Sequence, residues 1–363
     1  MQFTFDDEQQ LAARALRELL ADLCQGSDLR RAAQATDLAA FVSVCAERRE
    51  RLAELGLAGA LVPAEQGGLG LSSVDFVLLA EEAGRAALPE PLTDTAGVAH
   101  PLLASLCGDG AVEGSARAAM LLAESIEGRA MCLAALPGTS IIAGAPLADG
   151  ILTGATDDEV CLYEAKDCGV VMRESVDPLR KLGELRRGSA LPVAALRGAR
   201  ARALWADARA RSMVFNAAQL IGLAARMNEI AVAYALERKQ FGRAIGSNQA
   251  VKHLLADVMV KVEFARPVVY AAAASLAPVR VAHAAVAAAD AADRAARAAI
   301  QVHGAMGYSW EVDLQFYAKR AWALAGLEGG RSAHFGQLHD RLLRGDIALG
   351  PDRLFDIHGS LQS

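Results

Sequence analysis

The sequence predicts a mostly α-helical fold with a small β domain set between two helical blocks. Three observations carry this prediction. The hydrophobic class makes up 53% of the 363 residues, yet Phe, Trp and Tyr together make up only 5%, so an Ala-dominated core has to form from helices packed at close range through small side chains. Apolar residues recur at helical spacing over long stretches near both ends of the chain. Between Gly128 and Pro192 the texture changes to short apolar runs separated by Gly, Asp and Pro, which are strand signals. The length suits about two to three compact units, with divisions expected at 1–125, 126–195 and 196–363.

Taken in order, Asp6 with Gln9 three residues on reads as a capping box, and Leu16, Leu19, Leu20 and Leu23 continue a helix. The Gly- and Pro-containing stretch from Gly56 to Ser73 reads as a loop introducing a further helix over VDFVLLAEEAGRAAL. SIIAGA, ILTGA, EVCLYEA and GVVMRES are the strand candidates. From Leu196 the helical period returns and persists past Tyr234, too long and too apolar for an ordinary surface helix. Two more helices follow, the second an Ala-rich one whose polar face is supplied by Asp290, Asp293, Arg294 and Arg297.

Charge and cysteine usage exclude several functions. With 37 Lys and Arg against 43 Asp and Glu, a net charge of −6 and no long basic run, the chain lacks the electrostatic footprint of a nucleic-acid binder. Its six cysteines form no CxxC pair and none sits near a His at metal-ligand spacing, so no metal is expected and a reducing compartment is. No secretory signal is visible, and every apolar run is interrupted before membrane-spanning length. A cytoplasmic protein is expected.

Three constellations in the last third carry candidate chemistry. ERKQFGRAIGSNQ, Glu237 to Gln249, puts positive charges, an aromatic, glycines and side-chain amides at a helix end; Arg and turn N–H groups suit phosphate oxygens, although a solvated basic turn is the plainer reading. In QVHGAMGYSWEVD, Gln301 to Asp313, Gly304 and Gly307 break a helix, which a C-cap explains equally well. In AWALAGLEGG, Glu328 is the only charged residue between Arg320 and Arg331. A partly dehydrated carboxylate suits a general base; a loop Glu facing water is the alternative.

In order and spacing these segments resemble the acyl-CoA dehydrogenase family. ALERKQFGRAIGSNQAVKHLLADV is similar to the family's ERxxFGxxIxxxQxxxxxLAxM, IQVHGAMGYSWEVDLQFYAKRAWALAGLEGG to its QxxGGxGYxxExxxxxxxRDAxxxxIYEGT, and LAELGLAGALVPAEQGGLGLSSVDFVLLAEEAGRA to its LxxLGLxGLxVPExYGGxGxxxxDxxxxxEExGR. The resemblance implies an N-terminal helical domain, a middle β domain and a C-terminal four-helix bundle, with FAD bound between domains and a neighbouring subunit. It makes Glu328 the base that takes the α-proton of an acyl-CoA thioester. It matches Arg238, Gln240, Phe241 and Gln249 to cofactor-binding positions, and Gln301 and Gly304 to the segment a partner subunit presents to the same cofactor. Electron-transferring flavoprotein is the implied acceptor.

The departures are concentrated in the middle. The family's TEPxAGSD and WITN stretches, which cover the flavin, have no counterpart here; Thr139 and Ser140 are the candidates to supply a hydroxyl in their place. Ala305, Leu327 and Gly330 replace a Gly, a Tyr and a Thr of the family pattern. Met213 replaces an Arg, with Arg209 and Arg211 nearby, and Ser212 stands where some members carry an alternative base Glu. These departures resemble the short, diverged bacterial members that degrade steroid side chains and other bulky acyl-CoAs. The expectation is therefore an acyl-CoA dehydrogenase acting as a homo-oligomer or as a heterotetramer with a second dehydrogenase subunit. The alternative is a non-catalytic subunit that completes a partner's flavin site.

Overall fold

The structure, a computed structural model, describes residues 4–108, 112 and 114–347. Helices α1 (Asp7–Leu23), α2 (Gly26–Ala33), α3 (Leu38–Glu54) and α4 (Ser73–Arg85) open the chain. The expected capping box is present: Gln9 N–H donates to the Asp6 carboxylate at 2.8 Å, and Asp6 N–H donates to the Gln9 side chain at 3.0 Å. Between α3 and α4 the Gly-rich stretch forms only two short 3-10 turns. A short turn, α5 (Leu92–Asp94), continues through a π-helical turn, Thr95–Ala99, into α6 (His100–Cys107), and α7 (Ser115–Ile126) closes the first block.

Seven strands follow: β1 (Cys132–Ala134), β2 (Ile141–Ala143), β3 (Gly150–Thr153), β4 (Glu159–Glu164), β5 (Gly169–Arg173), β6 (Leu182–Arg186) and β7 (Ala194–Arg197). They form one sheet in the order β1-β3-β4-β7 and another in the order β2-β6-β5. Only β1 and β3 pair in parallel. The four expected apolar runs are β2 to β5. Strand β7, which pairs Val160 with Leu196, extends the β structure past the point where helix was expected to resume, because its pairing with β4 overrides local helical periodicity.

The last block contains α8 (Ala199–Glu237), a small hairpin of β8 (Lys239–Gln240) and β9 (Arg243–Ala244), then α9 (Gln249–Ser275), α10 (Pro278–His303), α11 (Leu314–Ala325) and α12 (Gly330–Leu343). The 39-residue α8 packs against α4, α9, α10 and α11. One apolar core runs from α1 through α4 and α8 to α11, so the two helical blocks share it. A second core joins α6 and α7 to the β1-β3-β4-β7 sheet and the start of α8.

Small residues set the helix spacing. A Cβ on Gly222 of α8 would lie 1.9 Å from the Glu81 carbonyl of α4, and one on Gly84 would lie 2.2 Å from that of Gln219. Only glycine permits this approach, and the buried face of α10 is almost entirely alanine. That packing accounts for the scarcity of aromatics. Helix α11 is anchored by Arg320, buried at 3% exposure, which pairs with the fully buried Asp177 of the β5–β6 loop and donates to the Leu88 carbonyl at 2.9 Å. The loop after α11 is thereby held against both the β unit and the first helical block.

Candidate active site

Glu328 lies in that loop. Its backbone is left-handed (φ 51°, ψ 37°), a conformation costing about 1–2 kcal/mol for a non-glycine residue and one that concentrates at functional sites. The next two residues are glycines; Gly330, at φ 68° and ψ −170°, occupies a region essentially closed to other residues. The short loop turns the chain sharply from α11 into α12 and directs the Glu328 side chain inward.

There the Glu328 carboxylate accepts a bond from Arg209 Nη1 of α8 at 2.8 Å. It also borders a cavity lined by Met213, Asn216 and Leu220 of α8, Ala289 of α10, and Leu324 and His334. Its side chain keeps 22% exposure, so the carboxylate is neither free in water nor sealed in an apolar pocket. It is charge-paired at a half-covered apolar edge. His334, buried beside it, has its imidazole pKa lowered by desolvation, with Glu328 and a backbone bond at Leu327 opposing. The cation that faces Glu328 is thus Arg209.

Arg209 is placed by the fold around it. One turn earlier, the buried Trp205 indole donates to the Glu159 carbonyl of β4 at 2.8 Å, and Arg202 pairs with Asp158. These ties bring the β3–β4 loop alongside α8, leaving Asp157 3.6 Å from Arg209. Arg209 therefore stands between two carboxylates. Met213 shares its helix face one turn on, so an arginine does reach this site, from four residues before the expected position. The i, i+4 spacing was the signal that could have singled out Arg209; nothing local to the sequence indicated Asp157 or His334. Arg211 turns to the opposite side of α8, where it pairs with Asp207 and burial lowers its pKa to about 10. Thr139 and Ser140 lie exposed in the β1–β2 turn, away from the Glu328 cavity.

The remaining predicted residues gather elsewhere. Arg238 caps the C-terminus of α8, and Gln240 and Phe241 lie in the β8–β9 hairpin. Phe241 is fully exposed at φ 50°. Gln249 starts α9 and is also exposed. Gln301 and Gly304 sit at the end of α10, where Tyr234 of α8 stacks on His303 with ring centroids 4.2 Å apart. That stack brings the end of α10 to the same end of α8 as the hairpin. From Arg209 to Arg238 is 29 residues of helix, roughly 43 Å at 1.5 Å each. The structure therefore gathers the base candidate at one end of α8 and the cofactor candidates at the other.

The outer group suits the pyrophosphate and adenine side of a dinucleotide presented by a neighbour. Among the described residues the Arg238 guanidinium has no carboxylate partner, and it lies close in sequence to an uncovered aromatic ring, ready to contact phosphate and a flat base. The inner end fits a flavin ring less completely. The loop after β3 is Gly154–Asp158, whose acidic side chains engage Arg202 and Arg209.

Comparison with known proteins identifies the family and the fold. Residues 7–106 match the family model for the acyl-CoA dehydrogenase N-terminal domain, and residues 203–343 match that for the C-terminal domain. The chain is 33% identical over 274 residues to acyl-CoA dehydrogenase IpdE2 of Mycobacterium tuberculosis, covering 76% of this chain and 79% of that protein. A chain of the ChsE4-ChsE5 complex from Mycobacterium tuberculosis superimposes with a TM-score of 0.80 at 22% identity, covering 94% of this chain and 99% of that one. The Tcur3481-Tcur3483 steroid ACAD has a TM-score of 0.79 at 23% identity over 94% of this chain and 99% of that one. These two likenesses establish the fold.

Proposed function

This chain belongs to the acyl-CoA dehydrogenase family of FAD-dependent oxidoreductases, and we propose that it desaturates an acyl-CoA thioester to the trans-2-enoyl-CoA with Glu328 as base. The observation that carries the proposal is Glu328 itself, held in a left-handed loop between two helices and paired with Arg209 at a cavity edge. FAD, when bound, supplies the acceptor for the hydride that leaves the β-carbon. Glu328 removes the α-proton with one carboxylate oxygen. A weakly acidic C–H demands a base that is close and oriented; the rigid loop and the Arg209 bond meet that demand. Leu324 and Met213 give the cavity beside Glu328 an apolar wall.

The separation along α8 supports an assembled site in which Arg238, Gln240, Phe241 and Gln249, with Gln301 and Gly304, hold the cofactor that serves a neighbouring chain. Exposed apolar side chains support such assembly: Met259, Val260 and Phe264 lie uncovered on α9, more than a lone surface helix ordinarily carries together. Electron-transferring flavoprotein is the proposed acceptor. All six cysteines are free thiols and no helix among the described residues is long and apolar enough to cross a membrane, which supports a cytoplasmic setting. The names of the steroid ACAD and of the ChsE4-ChsE5 complex favour a bulky acyl group and a heteromeric partner.

Glu328→Gln keeps the shape of the side chain but cannot accept a proton. It should abolish acyl-CoA oxidation while flavin content stays that of the parent; near-normal turnover would overturn the assignment. One observation favours a second reading. Because the Gly154–Asp158 loop carries acidic side chains where the family covers the flavin, this chain can act as the subunit that completes a partner's site and holds no flavin itself. Flavin absorbance decides between the two: about one flavin per chain in the protein purified alone supports the first, and flavin acquired only with a co-expressed dehydrogenase partner supports the second.

A further inference from the structure

The face of α8 that meets Glu328 is polar in an ordered way. Arg209, Ser212, Asn216 and Gln219 succeed one another at three- and four-residue spacing, which aligns them along one side of a helix. The last three, with Thr93, are bonded in series. Gln219 Nε2 donates to Thr93 Oγ1 at 2.8 Å and to Asn216 Oδ1 at 3.3 Å, and Asn216 Nδ2 donates to Ser212 Oγ at 3.4 Å. Gln219 is only 6% exposed. The string joins two cavities that share Leu324: Asn216 borders the one containing Glu328, while Gln219 and Thr93 border one that also contains Arg320.

The groups left uncommitted at its ends are donors. Among the described residues the hydroxyls of Ser212 and Thr93 accept these bonds and donate none, and Arg320 Nη2 is buried with no partner. A buried donor without an acceptor is costly, so Arg320 Nη2, with the buried Thr93 hydroxyl in the same cavity, calls for an oxygen supplied from outside. Each cavity is about 20 Å³, and the second has room for one small polar group. Resting on the desaturation reading above, we propose that this string selects acyl groups carrying a carbonyl or hydroxyl oxygen beyond the β-carbon, which takes bonds from Asn216, Thr93 and Arg320 while the α-carbon faces Glu328. A plain hydrocarbon chain would leave those donors unpaired, and discrimination by a site built for an oxygen arises in that way.

The test measures binding without turnover. The Glu328→Gln holoprotein, with its partner chain if it needs one, is titrated by calorimetry with octanoyl-CoA and with 7-oxooctanoyl-CoA. The oxo compound should bind about tenfold more tightly, and adding Asn216→Leu or Gln219→Leu should erase that advantage, the two acyl-CoAs then binding each variant equally. Gln219 also ties α5 to α8, so the melting temperature of each variant is recorded, and Asn216→Leu decides if Gln219→Leu fails to fold. Equal binding of the two acyl-CoAs before the leucine substitutions means that the donors hold only water, and overturns the proposal while leaving the desaturation reading intact. Binding of neither overturns that reading, and this inference with it.

Discussion

The two ends of α8 make opposite use of the same kind of sequence. At the inner end Arg209 is held by Glu328 and flanked by Asp157, its helix turn fixed by a buried Trp205. At the outer end Arg238, at the cap of α8, and Phe241, in the hairpin after it, stand exposed. One end has its charged groups paired within the chain; the other presents an arginine and an aromatic ring outward. A single long helix thus carries the partner of the base candidate near one end and the first cofactor candidate at the other, about 43 Å apart.

The contrast predicts effects that separate cleanly. Glu328→Gln should lower the rate of flavin reduction by about a thousandfold, the usual scale for a lost general base, with cofactor occupancy unchanged; loss of flavin instead would mean that the inner end also holds the cofactor. Stability provides a needed control for any acid-side activity profile. His100 is buried, its Nδ1–H donating to the Ala58 carbonyl at 2.6 Å, and burial lowers its pKa to about 4. The unfolded chain therefore binds a proton that the fold refuses, so stability is lost as pH falls from about 6.5 to about 4, by roughly 3 kcal/mol. His100→Gln should flatten that part of the melting-temperature profile; an unchanged slope would assign the acid loss to another group.

Smaller effects sharpen the division. Arg238→Ala should weaken flavin retention by about tenfold, as expected for one charge-assisted phosphate contact, while turnover per bound flavin stays near normal. Loss of turnover at full flavin occupancy would merge the two ends into one site. Arg209→Gln should reduce kcat about fivefold, matching the ~1 kcal/mol of a part-exposed ion pair, with flavin content intact and partial recovery in Arg209→Lys. A change in flavin content alone would move Arg209 to the cofactor side.

Much of this molecule could be read in advance for reasons that are local. The capping box at Asp6, the long apolar period of α8, the four punctuated strands and the glycines around Glu328 are all set by neighbours within a few residues, where propensity and spacing act directly. Strand β7 escaped because its partner, β4, lies some 35 residues back, and pairing at that distance leaves no local mark. The same holds for Asp157, His334 and the Thr93–Gln219 bond, whose partners meet only across packed elements. The residue types for a base and a cofactor grip are thus present in the linear order, along with the family they resemble. That they lie beside opposite ends of one helix, and that Arg209 rather than residue 213 faces Glu328, follows from a rigid 39-residue rod held at glycine contacts, a geometry that exists only once the chain is packed.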